Sequence, residues 1–269
     1  MLKIEIIEKK STLFALSGGA DGIYRVFVYR ETKKQKNVEE VIGNFSGFLQ
    51  TDASSIYNQY DSSEKNTIVP CLAHIRRKFV EVVKNIHTKK DSCFQSILND
   101  INDIFFIETE LRSYNLSEEE FVEIRKKHVM PLLDETGKFI ASAIHNVHVS
   151  STFGKALNYA SKLWSKMYNF LLHYRLSSAN IIVENQIRPI RLLLNNALFL
   201  GSPKCAKALA ILCSLIETSK LSEIEPKIYL DHTFAKIKNT PGDQLHSLLP
   251  YNCDLPRTDQ YKNKYHTYW

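Results

Sequence analysis

Cysteine is sparse and unpaired in this sequence. The five, Cys71, Cys93, Cys205, Cys213 and Cys253, are an odd number, scattered, and no two stand in a CxxC spacing. That excludes a disulfide framework and points to a reducing compartment. Long apolar runs are missing as well. The most apolar stretch, Ala208 to Ile216, covers nine residues, about half of what a membrane span needs. The opening MLKIEIIEKK puts charges where a secretory signal has an unbroken apolar core. Glycine is scarce, nine residues in all, and no glycine-rich phosphate loop, GxSxG elbow or HExxH pair occurs. There is no internal repeat and no low-complexity linker. What remains is ordinary globular composition, 44% hydrophobic and 24% charged over 269 residues, long enough for one large domain or two small ones. The expectation is a soluble, cytoplasmic protein with no membrane partner.

Charge is present but unevenly placed. The net is +6, yet residues 71–90 hold six Lys/Arg and one acid, residues 91–135 four Lys/Arg and eleven acids, and residues 150–220 nine Lys/Arg and two acids. Two basic blocks therefore flank an acidic one. Such blocks suit a polyanion partner, and equally suit faces that neutralise each other in the fold.

The first fifty residues read as strands. Leu2 to Ile6 alternates, Thr12 to Leu16 is a short apolar run, and Tyr24 to Tyr29 is β-branched and aromatic. Gly18 to Gly22 reads as a hairpin connection. A short helix around Val38 to Ile42 and a fourth strand, Phe48 to Thr51, follow. From Cys71 the period becomes helical, with Leu72, Ile75, Phe79, Val82 and Ile86 on one face. Phe94 to Phe105 gives a second helical stripe. Ser117 followed by Glu120 is a capping box opening a third helix, which Pro131 kinks or ends. Leu157, Ala160, Trp164, Met167 and Leu171 mark a fourth. Residues 176–203 read as an interrupted segment, Lys204 to Lys220 as a strongly apolar helix, and Glu225-Pro226 as the start of a last one. From Asn252 the chain is polar and Tyr-rich and is expected to fray. Strands followed by many helices mean an α+β fold, or an α/β core with a helical insertion.

Few single residues carry chemistry unaided. Asp52 ends a strand, where α/β folds place active groups, and it equally suits a cap for the next helix. Glu184, in an apolar frame with Arg188 one turn later, reads alone as an i,i+4 ion pair. Cys71 and His74 are potential metal ligands one turn apart, but no second pair has zinc spacing, so a buried Cys and a hydrogen-bonding His fit as well. His145 and His148 form a weak pair with no third ligand.

The order of phrases says more. Gly43-Asn44-Phe45-Ser46-Gly47-Phe48-Leu49-Gln50-Thr51-Asp52 resembles the GFxGxLQTDGY segment of the insertion-sequence 66 family of bacterial transposases. Cys71 to Phe79 resembles that family's CWAHxRRKF, and Val183 to Ile190 its VERxIRP. Ala197 to Ser202 resembles xLFAGS, Ser214 to Leu221 SLIETxKLNG, and Leu248 to Tyr251 LLPW. The six matches are collinear from residue 43 to 251.

The resemblance implies a DDE transposase catalytic region: an RNase H-like mixed sheet with a large all-helical insertion between the second and third acidic positions. By the same resemblance, residues 1–70 are strands of that core, 71–175 the helical insertion, 176–251 the C-terminal part of the core, and 252–269 a polar tail. Asp52 is then the second catalytic and metal-binding carboxylate and Glu184 the third, holding Mg²⁺. Arg76, Arg77, Lys78 and Arg188 face phosphates of transposon-end and target DNA. The implied setting is the bacterial cytoplasm at the nucleoid, with a homo-oligomer or a full-length transposase as possible partner. The departures are specific. The family's first Asp lies in an Asp-Glu-Thr phrase on the first strand, and no such phrase stands there. Ala53-Ser54 replaces Gly-Tyr, Ala179-Asn180-Ile181 replaces the family's DNN, and Asn185 replaces an Arg. The expectation is a truncated, catalytically deficient copy, or alternatively a non-catalytic DNA-binding or regulatory fragment.

Overall fold

A computed structural model describes residues 2–8, 12–18, 24–52, 54–61, 65–85, 92–196 and 202–261. Its elements run β1 (Leu2–Glu8), β2 (Thr12–Gly18), β3 (Tyr24–Arg30), α1 (Gln35–Ile42), β4 (Gly47–Thr51), α2 (Asn58–Asp61) and β5 (Asn66–Pro70). Then follow α3 (Leu72–Asn85), α4 (Ser92–Ser113), α5 (Glu118–Ala143), α6 (Thr152–Met167), α7 (Ile181–Asn196), α8 (Pro203–Leu221) and α9 (Pro226–Lys236). This is a mixed α+β chain with a helical majority. It divides into two compact units, one made of Met1–Phe45 with Ile181–Trp269, the other of Ser46–Asn180. The expected hairpin glycines at 19–22 and most of the xLFAGS phrase, 197–201, lie outside the described residues.

In the first unit β1, β2 and β3 form an antiparallel meander, with Ile4 opposite Leu16 and Phe14 opposite Val28. Ala15 and Phe27 pack with Ile187 and Ile190 of α7 and with Ala210 and Cys213 of α8. The continuous helix α7 corrects the interrupted segment expected over 176–203. Pro189 removes one backbone donor from it, but Ile187 and Ile190 are both buried, and burial of that face outweighs local propensity.

Helix α8 runs along β3 and closes its outer edge with two hydroxyls. Thr218 Oγ1 accepts from Arg25 N at 3.1 Å and donates to Arg25 O at 2.9 Å, while Ser214 Oγ accepts from Phe27 N at 2.8 Å. Four helical residues rise ~6 Å and two strand residues ~6.7 Å, so the i,i+4 hydroxyls meet backbone groups two residues apart. An edge strand thus gains hydrogen-bond partners without a neighbouring strand.

At the end of α8 the chain turns sharply. Ile224 N donates to Ser219 O at 2.9 Å and Glu223 N to Lys220 O at 3.0 Å, with Glu223 at φ 61°. That is a Schellman turn with glutamate in the left-handed position that glycine takes without steric cost. Glycine is also the residue of the KLNG phrase there. Glu223→Gly should therefore raise stability by about 1 kcal/mol, read as a higher midpoint in urea unfolding. The frayed tail expected from Asn252 is corrected as far as Tyr261. Thr258 N donates to Glu223 O at 2.7 Å, Tyr261 Oη donates to Glu225 Oε2 at 2.7 Å, and Cys253 is buried against Ile224 and Tyr229.

In the second unit β4 and β5 are parallel, Leu49 pairing with Ile68 and Thr51 with Pro70. Their last three residues are all buried, as a parallel pair covered on both faces requires. The short strand β5 went unnoticed in the sequence, its five residues ending in a proline. Leu72, Ile75, Phe79 and Val82 bury the expected face of α3, and Phe153 sits edge-on to Phe79 at 6.4 Å and to Phe94 at 5.0 Å. Ser117 and Glu120 form the expected capping box. Helix α5 continues through Pro131 to Ala143 instead of ending there, with Val129, Leu133, Thr136 and Ile140 buried on both sides of the proline. Trp164 of α6 lies against Gly137, where a Cβ would meet its indole at 2.5 Å, and donates to Leu133 O at 2.9 Å.

Candidate functional site

Asp52 follows the last residue of β4 and is half-buried. Its Oδ1 accepts from Ser54 N at 3.1 Å, a local turn bond of the kind short Asx side chains make, and it leads into the short turn Ser55–Tyr57. The carboxylate therefore caps no long helix. Among the described residues nothing else hydrogen-bonds it.

The neighbourhood is built by β4, β5 and the strap 173–180. Gln50, two residues before Asp52 and so on the same side of the strand, is fully buried and donates through Nε2 to Ser177 O at 2.6 Å. Leu72 N donates to Ser178 O at 2.8 Å, and Asn180 N to Cys71 Sγ at 3.1 Å. The Cys71 thiol thus helps hold the strap. Among the described residues no three His, Cys, Asp or Glu side chains come together as a metal site, which leaves Cys71 and His74 in structural roles. His148 accepts at Nδ1 from Ser150 N and lies in the turn that Ser151 caps for α6, the carbonyl of His148 accepting from Ser151 Oγ at 2.7 Å.

Tyr159 of α6 was not singled out in the sequence. Burial pushes its phenol up to about 12, the negative charge of Asp52 and the Cys71 thiol add to this, and Arg77 opposes it. A side chain from the helical part thus lies in electrostatic reach of both Asp52 and Arg77. The signal available beforehand was its position between lysines in an acid-free stretch.

The three basic residues of the CLAHIRRKF phrase behave differently. Arg76 Nε donates to Asn102 Oδ1 of α4 at 2.8 Å. Lys78 pairs with Glu81 at 3.3 Å, both exposed. Arg77 is exposed and makes neither hydrogen bond nor ion pair with a described residue. Arg188 is exposed on α7. Glu184 belongs to the same helix by its backbone, but its side chain lies outside the described residues. Asp52 belongs to the second unit and Glu184 and Arg188 to the first. Asp-Glu-Thr does occur once in the chain, as Asp134–Thr136 in the middle of α5, where it is structural: Tyr168 Oη donates to Asp134 at 2.6 Å and Thr136 Oγ1 to Asp100 at 2.8 Å.

A divalent cation of the magnesium type takes six oxygens, usually including one or two carboxylates. Asp52 supplies one carboxylate, and the described residues add no other beside it, so by themselves they do not fit a metal centre.

Residues 5–208 match the family described as "Transposase IS66 family", and residues 214–251 match the "IS66 C-terminal element". The chain belongs to the IS66 transposase family, whose DDE class uses divalent metal in general. Two uncharacterized proteins of Sinorhizobium fredii are similar to it. With y4jD it shares 27% identity over 242 residues, covering 87% of this chain and 46% of that protein. With y4hP it shares 25% over 250 residues, covering 87% and 44%. The chain thus spans somewhat less than half the length of the curated relatives it matches. No solved structure matches it. Among the described residues no helix is long and apolar enough to cross a membrane.

Proposed function

We propose that this chain is a DNA-binding member of its family that, as these 269 residues alone, does not cut DNA. The observation that carries the first half is the placement of Asp52, in the family's own phrase, at the C-terminal end of a parallel strand beside an exposed, unengaged Arg77. A carboxylate at such a strand end is reachable by a ligand, and a cation next to it compensates a phosphate. An RNase H-like core with a helical insertion between Asp52 and Glu184 accords with the antiparallel meander β1–β3, the parallel pair β4–β5 and the helices α3–α6. Asp52 and Glu184 are the proposed carboxylates, Mg²⁺ the proposed ion, and Arg76, Arg77, Lys78 and Arg188 the proposed phosphate contacts. Among these Arg77 and Arg188 need no rearrangement to reach DNA, whereas Arg76 must leave Asn102. A homo-oligomer or a longer transposase at the nucleoid is the proposed assembly.

The second half rests on the carboxylate count. Two-metal phosphoryl chemistry needs ligands that bridge both ions, and β1 carries no Asp-Glu-Thr phrase. The chain should bind duplex DNA carrying the element's ends and leave it uncut in Mg²⁺ or Mn²⁺, assayed by mobility shift and by plasmid nicking. Metal-dependent nicking that disappears in Glu184→Gln would overturn the inactive half. Failure to shift DNA at low salt would overturn the binding half.

A further inference from the structure

Helix α6 carries a second, unassigned feature. Lys155, Tyr159, Lys162 and Lys166 are spaced by four, three and four, which places them within a narrow stripe on one side of the helix. Ala156, Leu157, Ala160, Trp164 and Met167 bury a different side. Lys155 and Lys162 are exposed, and neither makes an ion pair or hydrogen bond with a described residue. The helix contains no acid at all.

A solvated helix face ordinarily mixes charges. In the same unit α5 does so, with Glu118, Glu119, Glu120 and Glu123 followed by Lys126 and Lys127, and α3 pairs Lys78 with Glu81. The stripe on α6 does not. Nor does helix stability account for it, because Lys155 stands in the first turn, where a cation opposes the helix dipole. Helix α6 packs on α3 through Phe153 and Phe79, and its central residue, Tyr159, senses the charges of Asp52 and Arg77.

We propose that the α6 stripe of Lys155, Tyr159, Lys162 and Lys166, continued by Arg77 of α3, is a rail that carries the sugar-phosphate backbone of duplex DNA past Asp52. The inference rests on the DNA-binding reading above and gives it a specific surface. Lys155 and Lys162 are ~10 Å apart along the helix, about three phosphates of one strand at ~3.4 Å each. The two lysines neutralise phosphates, and the Tyr159 hydroxyl donates to a phosphate oxygen between them, a positioning contact without sequence preference.

The test is fluorescence anisotropy of the full chain on a short labelled duplex, with KCl stepped from about 50 to about 200 mM. Lys155→Gln/Lys162→Gln should reduce the steepness of log K against log salt by about 2, since each phosphate neutralised contributes about 0.9. Lys204→Gln/Lys207→Gln, an exposed pair on α8, should leave the slope as it was. Thermal melts of both variants check that folding is intact. A wild-type slope in the α6 variant overturns the rail while leaving DNA binding in place, and so does an equal fall in the α8 variant. Absence of binding by the unaltered chain at the lowest salt overturns both this inference and the reading beneath it.

Discussion

Arg125→Met is expected to destabilise the helical unit by about 3–5 kcal/mol, the cost of leaving a buried partner charge uncompensated. Arg125 lies on α5 and is fully buried. Its guanidinium meets the Glu108 carboxylate of α4 at 2.7 and 2.9 Å and donates to the carbonyls of Phe170 (2.8 Å), His173 (2.9 Å) and Leu176 (2.8 Å). It also stacks over the Phe121 ring at 4.5 Å. One side chain therefore ties two long helices to the strap that holds β4 and β5. Methionine keeps much of the volume and none of the donors. Arg112, 3.8 Å from Glu108 and already bonded to Leu176 O, recovers part of the loss, which argues for the lower end of the range.

The same site makes a sharper prediction for the pair. Burial pulls the Arg125 guanidinium down to about 10, with Glu108 holding it up, so the residue is charged at neutral pH and the fold bears the desolvation. Removing both charges then removes that penalty as well as the attraction. Glu108→Leu/Arg125→Met should be distinctly more stable than Arg125→Met alone, by urea unfolding followed through far-ultraviolet circular dichroism. A single variant that shifts the midpoint by less than the equivalent of about 1 kcal/mol, or a double variant worse than the single, would refute the account.

How far the sequence reaches depends on whether local rules decide a segment. Helix α3 and the Ser117–Glu120 cap were legible because apolar spacing and capping chemistry act within a few residues, and the structure obeys both. Helix α7 was not, because Pro189 signals a break that only the packing of Ile187 and Ile190 overrides. Residues 252–261 are polar and look free, yet their order comes from bonds to Glu223 and Glu225 more than thirty residues earlier. Of the site, Asp52 at a strand end and the exposed Arg77 were readable. Tyr159 was not, since nothing local says that a residue over one hundred positions beyond Asp52 shares its surroundings. The buried pairs Arg125–Glu108 and Arg25–Glu217 were invisible for the same reason: sequence charge counts treat such residues as surface.

Glu217→Leu is the corresponding experiment in the other unit, with an expected loss of about 3 kcal/mol. Glu217 is 3% exposed on α8, with Arg25 of β3 at 3.5 Å and Lys220 at 2.6 Å. It follows Ser214 by one turn and precedes Thr218, so the Ser-Leu-Ile-Glu-Thr phrase presents all three polar side chains to β3. Two hydroxyls satisfy the edge backbone, and the carboxylate neutralises the buried guanidinium of the strand they cover. Leucine leaves that guanidinium without its carboxylate while the hydroxyls remain, so the helix should lift locally before the unit unfolds. Amide hydrogen exchange reads this directly. The Arg25 and Phe27 amides, which donate to Thr218 and Ser214, should lose protection more than the β1–β2 amides do. If those two amides stay protected and the unfolding midpoint barely moves, the phrase has another role, and its place in the family would have to be sought in contact with DNA. If they open, a family signature has been traced to the docking of one helix on one strand edge, and the search for the DNA-binding surface turns to α6 and Arg77.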